Sequence, residues 1–248
     1  MSIPKRVEAR IVTGLKKFKP IIDDARKADR SEADTVLIVR DILAQVLGYD
    51  KYHDITGEYQ IRGTYCDLAV KVDDKLRFLI EVKAADRMLK PSHLRQASDY
   101  AAKEGIEWVI LTNAVEWRTY RMVFEKPVRT EHVFTADLSG NDPDVINKMY
   151  MLSREGAKKR ALRGFHAQVR AINRYSLAAV IISEPVLNVI RRELKRASPG
   201  VRIEIEDVEE AISGDVIKRD LMDSTEVQDA IKRIQKAHSR NLRKRKDS

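Results

Sequence analysis

The stretch from Cys66 to Lys83 constrains the fold of this chain more than any other. Leu68, Val70 and Val72 alternate with Asp67, Ala69 and Lys71. After Asp73-Asp74, Leu76, Phe78, Ile80 and Val82 alternate with Arg77, Leu79, Glu81 and Lys83. A period of two marks a half-buried strand, and two such runs joined by a two-residue turn predict an antiparallel hairpin. The apolar set fixes the register, because a slip of one residue would turn Phe78, Ile80 and Val82 outward. Side chains alternate across a strand, so Glu81 and Lys83 share a face, and the partner strand brings Asp67 alongside.

Around the hairpin the period is helical. Ile3, Val7, Ile11, Leu15 and Phe18 predict an amphipathic first helix that Pro20 would end. Ser31-Glu32-Ala33-Asp34 has capping-box spacing and opens a second helix, with Val36, Val39, Leu43 and Val46 as its buried stripe and Gly48 as its close. A helix follows Pro91-Ser92 to about Glu104, and Trp108 to Thr112 and Trp117 to Phe124 form a further strand pair. This succession predicts an α/β fold with a mixed central sheet flanked by helices. From Asp142-Pro143 the pattern is helical nearly to the end. One short strand is expected over Val201 to Ile205, a helix over Asp207 to Ile212, and a last helix capped by Asp223-Ser224-Thr225. The chain thus divides into residues 1–140 and a mainly helical part, 141–248.

An apolar fraction of 43% is enough to bury a core, so wholesale disorder is excluded. Cys66 is the single cysteine, which excludes an internal disulfide and fits a reducing compartment, and it is expected to be a small buried hydrophobe. No charged-then-apolar leader is present. The longest apolar run, Leu177 to Ser183, is too short to cross a bilayer, so a soluble, cytoplasmic protein is expected. The five histidines have no ligand spacing, and zinc is not expected. Trp108 and Trp117 are expected to serve core and edge packing and not base stacking, and with aromatics at 6% a dedicated single-strand stacking surface is not expected.

The net charge of +9 is unevenly placed. Residues 1–150 balance at +1, whereas residues 151–248 carry 22 Lys and Arg against 14 Asp and Glu. The surplus lies between Arg154 and Arg174 and in the basic tail, residues 232–248. Such clusters attract phosphate backbones by counterion release, though an ordinary solvated helix face reads equally well. Lys158, Lys159, Arg160 and Arg163 are candidates for DNA contact along one helix face. Arg240 to Lys246 is a candidate phosphate-binding arm, expected to be disordered.

The hairpin face carries the chemistry. Asp67 and Glu81 side by side repel one another, and a hard divalent cation resolves this while keeping waters for a substrate phosphate. Lys83 can orient such a water or take its proton. The trio is a working set for phosphodiester hydrolysis; the plain alternative is a surface hairpin with a Glu/Lys ladder. A second Glu-x-Lys, Glu193-Leu194-Lys195, sits in a helical stretch with no strand carboxylate before it.

Ordered motifs from about Glu32 to Tyr120 carry a family resemblance. Glu32 precedes a helix ending Val46-Leu47-Gly48-Tyr49. Then come Arg62-Gly63-Thr64-Tyr65-Cys66-Asp67-Leu68-Ala69-Val70 and Leu79-Ile80-Glu81-Val82-Lys83-Ala84. Gln96-Ala97-Ser98-Asp99-Tyr100 follows, and then Leu111-Thr112-Asn113 with Trp117 and Tyr120. The set resembles the N-terminal nuclease domain of type I restriction enzyme R subunits, a branch of the PD-(D/E)xK superfamily. The resemblance covers a little over a third of the chain.

The resemblance implies a restriction-endonuclease-like core and a metal-dependent DNA endonuclease. Asp67 and Glu81 would ligate Mg²⁺, with Mn²⁺ as a substitute and the Val82 carbonyl assisting, and Lys83 would serve the water. Glu32 would be an accessory carboxylate. Gln96 would support the metal site or touch DNA, while Tyr100, on the same helix face, packs in the core. Expected partners are double-stranded DNA, a second copy of the chain, and separate helicase or methyltransferase subunits. R subunits continue into an ATP-driven translocase, and this chain has no G-x-x-x-x-G-K-[ST] loop. The alternatives are a non-catalytic DNA-binding or adaptor protein, or the nuclease subunit of a larger complex with a separate helicase.

Overall fold

A computed structural model of the chain describes residues 2–61 and 64–246, apart from the side chains of 59–61, 64–65 and 240–246. Arg62, Gly63 and the side chains of Thr64 and Tyr65, part of the family motif, lie outside the described residues, as do the side chains from Arg240 on.

Two helices, α1 (Lys5–Lys27) and α2 (Glu32–Gln45), precede three strands, β1 (Ile55–Ile61), β2 (Thr64–Val72) and β3 (Lys75–Val82). After a 3-10 turn over Pro91–Leu94 come α3 (Arg95–Glu104), β4 (Trp108–Thr112), β5 (Glu116–Val123) and β6 (Arg129–Asp137). The strands form one mixed sheet in chain order, with β3 and β4 parallel and every other pair antiparallel. The Asp73-Asp74 turn of the β2–β3 hairpin takes positive φ at both residues, +50° and +58°, as the right-handed twist of a tight hairpin requires.

Helices cover both faces of the sheet. α3 packs on β2 to β5, and α2 packs on β2 and β3 from the other side. β2 and β3 are therefore not the half-buried strands that alternation predicts. Ala69 and Leu79 are as inaccessible as Leu68 and Ile80, because Ala97, Tyr100 and Ala101 of α3 close the second face. β6 escaped sequence reading because only Phe134 and Ala136 of its nine residues are buried, leaving little alternation to see.

The first helix runs through Pro20 instead of ending there. Pro20 is exposed, while Ile22 and Ala25 beyond it continue the buried stripe of Val7, Ile11 and Phe18. Burial of that extra turn outweighs the hydrogen bond proline forfeits. In α2, the Ser31 hydroxyl accepts from the Asp34 N–H at 3.1 Å, the cap that the Ser-x-x-Asp spacing predicts.

The chain forms two compact units, 1–164 and 165–248, so the boundary falls after Gly164 and not near residue 140. The reason lies in α4 (Val145–Leu152) and α5 (Arg154–Lys158), which belong to the first unit. Met149, Tyr150, Met151 and Leu152 are all buried. The Tyr49 hydroxyl donates to the Leu152 carbonyl at 2.7 Å, and Arg154 pairs with Asp54 at 2.7 Å. Arg10 donates to both carboxylate oxygens of Glu155 and to the Val46 and Leu47 carbonyls, joining α1, the end of α2 and α5.

That guanidinium holds the Glu155 carboxyl below its ordinary range. A depressed folded-state pKa contributes stability above the unfolded value, and the contribution is lost as pH falls through the folded value. The melting temperature of the wild-type protein is therefore expected to fall more steeply below about pH 4.5 than that of Glu155→Gln. Parallel slopes in a melting series from neutral to acidic pH would contradict this.

The second unit is helical: α7 (Arg174–Ile181), α8 (Glu184–Ala197), α9 (Ile205–Ala211), α10 (Arg219–Met222) and α11 (Thr225–Lys246), with α6 (Ala161–Ala171) spanning the boundary. Its core gathers Ala178, Leu187, Val208, Ile212, Ile217 and Val227. The strand expected over 201–205 is absent. Glu204 instead caps α9, its N–H bonded to Asp207 at 3.0 Å, in a unit whose described residues offer no strand to pair with. The basic end continues α11 as helix to Lys246 and does not form a disordered arm. No helix among the described residues is long and apolar enough to cross a membrane.

Candidate active site at the end of the central strand

At the end of β3, where the Lys83 N–H still pairs with the Thr112 carbonyl of β4, the candidate side chains meet. The Leu68–Ile80 pair sets the hairpin register, so Asp67 stands opposite Glu81, one step further along. Asp67 Oδ2 accepts the Val82 N–H at 2.7 Å. Lys83 extends from the same strand, two residues past Glu81, and its Nζ donates to Glu81 Oε1 at 2.8 Å and Glu32 Oε1 at 3.3 Å. Glu32 reaches it from the first turn of α2. The site therefore draws on one hairpin and one helix, and Glu32 and Lys83 stand 51 positions apart in the sequence.

Burial and charge act together here. The Glu81 side chain is 9% exposed and that of Lys83 18%, while Glu32 is about half exposed. Burial raises the Glu81 carboxyl above its ordinary range, opposed by the Lys83 hydrogen bond and reinforced by the Asp67 charge. Burial likewise raises Asp67, against the Val82 N–H and the Lys83 charge. For Lys83, burial favours the neutral amine, but the Glu81 hydrogen bond and the three carboxylates outweigh it, and its pKa rises. Three carboxylates face one ammonium, so the site is short of positive charge.

A raised Asp67 pKa means the folded chain holds that proton more tightly than the unfolded chain. Stability then falls as pH rises from the ordinary aspartate range through the raised value. Asp67→Asn keeps an oxygen for the Val82 N–H and removes the charge. It is expected to raise the melting temperature near pH 7 and to give no gain near pH 3. An equal gain at both pH values would show that the effect is not electrostatic.

The donor set bears on which cation could sit there. Among the described residues no group of three or more His, Cys, Asp and Glu is arranged to hold a metal ion. Buried Glu81 and partly buried Asp67 could offer Mg²⁺ two carboxylates, a number that leaves its remaining positions for water and phosphate. Val82 engages the site through its N–H.

Beside Glu81 and Lys83 a cleft of about 490 Å³ is walled by the 3-10 turn and α3. Gln96 lines it and is exposed, and Tyr100 lines it from a buried position in the core, as their four-residue spacing implies. Sequence reading missed Arg95, Asp99 and Lys103 on the same wall. Asp99 and Lys103 lie three and seven residues from Gln96, so helical spacing extended from Gln96 would have found them. Cys66 is buried behind the site, its thiol pushed up to about 12 by burial and the Glu81 and Asp67 charges.

Lys158, Lys159, Arg160 and Arg163 do not line one helix face. α5 stops at Lys158, Arg160 has φ +54°, and α6 starts at Ala161. The left-handed residue breaks the helix, leaving Lys158 on α5, Lys159 and Arg160 in the link and Arg163 on α6. Lys158 lies 3.4 Å from Asp73, and Arg163 is bonded to Glu107 at 2.6 Å. Trp108 and Trp117 are both buried in the sheet.

The chain was compared with protein-family models, with curated proteins and with solved structures, and none of the three comparisons yields a match.

Proposed function

We propose that this chain is a Mg²⁺-dependent DNA endonuclease of the PD-(D/E)xK type, hydrolysing phosphodiester bonds at the end of β3. One observation carries the reading: Lys83 Nζ donates to both Glu81 and Glu32, with the Asp67 charge also acting on it, beside a cleft that Glu81 and Lys83 line. Asp67 and Glu81 would hold the cation, which when bound supplies Lewis acidity toward the scissile phosphate and lowers the pKa of a bound water.

The chain's own groups have distinct tasks. The Val82 N–H fixes one Asp67 oxygen, so that carboxylate keeps its orientation as substrate arrives. Lys83, charged while paired with Glu81, orients the attacking water and neutralises charge gathering on the phosphate. Arg95 and Lys103, across the cleft, offer contacts to the flanking backbone phosphates. Glu32, the most exposed carboxylate of the three, tunes Lys83 from the α2 side.

The test is cleavage by the purified full-length protein of supercoiled, linear and single-stranded DNA with Mg²⁺ or Mn²⁺. Metal-dependent cutting that EDTA abolishes is the expected result. Salt-dependent DNA binding with no cutting in either metal would overturn the hydrolytic reading in favour of a DNA-binding protein. If cutting appears only when a separate motor subunit is added, the chain is the nuclease part of a larger complex.

A further inference from the structure

At the opposite end of β3 from Glu81, a cavity of about 680 Å³ opens within the first unit. Phe78 and Trp108, paired across β3 and β4, form its apolar floor with Met122. Its wall carries four guanidinium groups, Arg77, Arg121, Arg160 and Arg163, against the carboxylates of Glu104 and Glu107. Glu107 is shared between two of them, accepting from Arg121 Nε at 3.2 Å and from Arg163 Nη2 at 2.6 Å. The arginines outnumber the carboxylates, and the wall is positive.

Two local irregularities place arginines on this wall. Val70 pairs with Phe78 and Lys71 with Leu76, so Arg77 is the extra residue of a bulge, a device that re-aims a side chain. Its Nε is buried with no hydrogen-bond partner among the described residues. A guanidinium so poorly satisfied by the protein is costly to bury, and an anion in the cavity that Arg77 lines would offset that cost electrostatically. Arg160 sits at φ +54°, where glycine is the relaxed choice, yet the chain keeps an exposed arginine there.

We infer that this cavity binds a nucleotide, with the phosphate on the guanidinium wall and the base over the apolar floor. The planar fork of arginine matches phosphate oxygens two at a time. A concave, partly apolar cavity with a few convergent polar groups is the ordinary form of a small-molecule site. The excess of guanidinium over carboxylate suits the dianion of a phosphate monoester. A free mononucleotide and the 5′-phosphorylated end of a strand present this same chemistry. The inference does not depend on the hydrolytic reading, since none of these residues belongs to the Asp67, Glu81 and Lys83 site.

Calorimetric titration of the full-length protein in EDTA tests it, with AMP, adenosine, inorganic phosphate, and oligonucleotides bearing a 5′-phosphate or a 5′-hydroxyl as probes. AMP is expected to bind about tenfold or more tightly than either adenosine or inorganic phosphate, the order of one charge-assisted contact. Arg77→Met and Arg160→Gly are each expected to weaken AMP by a similar factor. Arg160→Gly also relieves the left-handed backbone, so it should melt no lower than wild type, separating lost binding from lost folding. Preference for the 5′-phosphorylated oligonucleotide, competed by AMP, would support a strand end as the source. AMP binding without that preference would support a free nucleotide. The site is overturned if AMP does not bind or if both variants bind it as wild type does. Adenosine binding as tightly as AMP would also overturn it.

Discussion

Glu81→Gln and Lys83→Met are each expected to cut DNA at least ~10³-fold more slowly than wild type while remaining folded, within the range lost when a positioned acid–base group is removed. Glutamine keeps an oxygen for the Lys83 ammonium and removes only the negative charge. Methionine keeps the lysine stem and removes the cation, leaving Glu81, Asp67 and Glu32 to repel one another. The control lies in the same sequence. Glu193-Leu194-Lys195 repeats the motif on α8, where residues two apart face different ways and Glu193 is paired with Arg196 at 2.9 Å. Lys195→Met should leave cleavage unchanged. Initial rates of plasmid nicking in Mg²⁺ decide the matter. Wild-type rates in both site variants would remove Glu81 and Lys83 from the mechanism.

The largest effect on stability is expected from one added methyl group. Gly156 lies in α5, and a Cβ there would fall inside van der Waals contact of the Tyr150 carbonyl oxygen. That carbonyl is already engaged, accepting from the Ser153 hydroxyl at 2.7 Å, while the same hydroxyl accepts from the Gly156 N–H at 3.1 Å. The turn between α4 and α5 is buried and closed on itself, so nothing can move aside cheaply. Gly156→Ala should cost roughly 3 kcal/mol, at the upper end of overpacking costs. For a unit of this size that lowers the melting temperature by about 6–12 °C. Gly164→Ala, the same change in an exposed turn of α6 with open space around it, should instead stabilise by about 0.5–1 kcal/mol. Thermal unfolding of the two variants reads both signs, and a Gly156→Ala protein melting with wild type would refute the close approach.

Much of the candidate site was legible because strand alternation is a local rule. It places Glu81 and Lys83 on one face without reference to the rest of the chain, but the two-residue turn alone would set Asp67 opposite Ile80, and the bulge at Arg77 is what brings it opposite Glu81. The helix carrying Glu32 was legible from its cap, but the 3.3 Å approach of Glu32 to Lys83 depends on how α2 lies across the sheet. Local pattern does not encode that.

The same division holds for the fold. Sequence alone determined the hairpin, the Ser31 cap and the surrounding helices, since each rests on periodicity or on contacts within a few residues, whereas the bulge at Arg77 that sets the hairpin register past the turn did not show in the alternation. Tertiary structure decided that the first helix outruns Pro20, because burial of Ile22 and Ala25 is a gain only the assembled core supplies. It decided that α4 and α5 belong with the sheet, through Arg10–Glu155 and Tyr49–Leu152, contacts between residues more than a hundred positions apart. It also decided the fate of Asp67, Glu81 and Lys83. Alternation and the Arg77 bulge put them on one face, but α3 covered that face, and burial there is what raises both carboxyls.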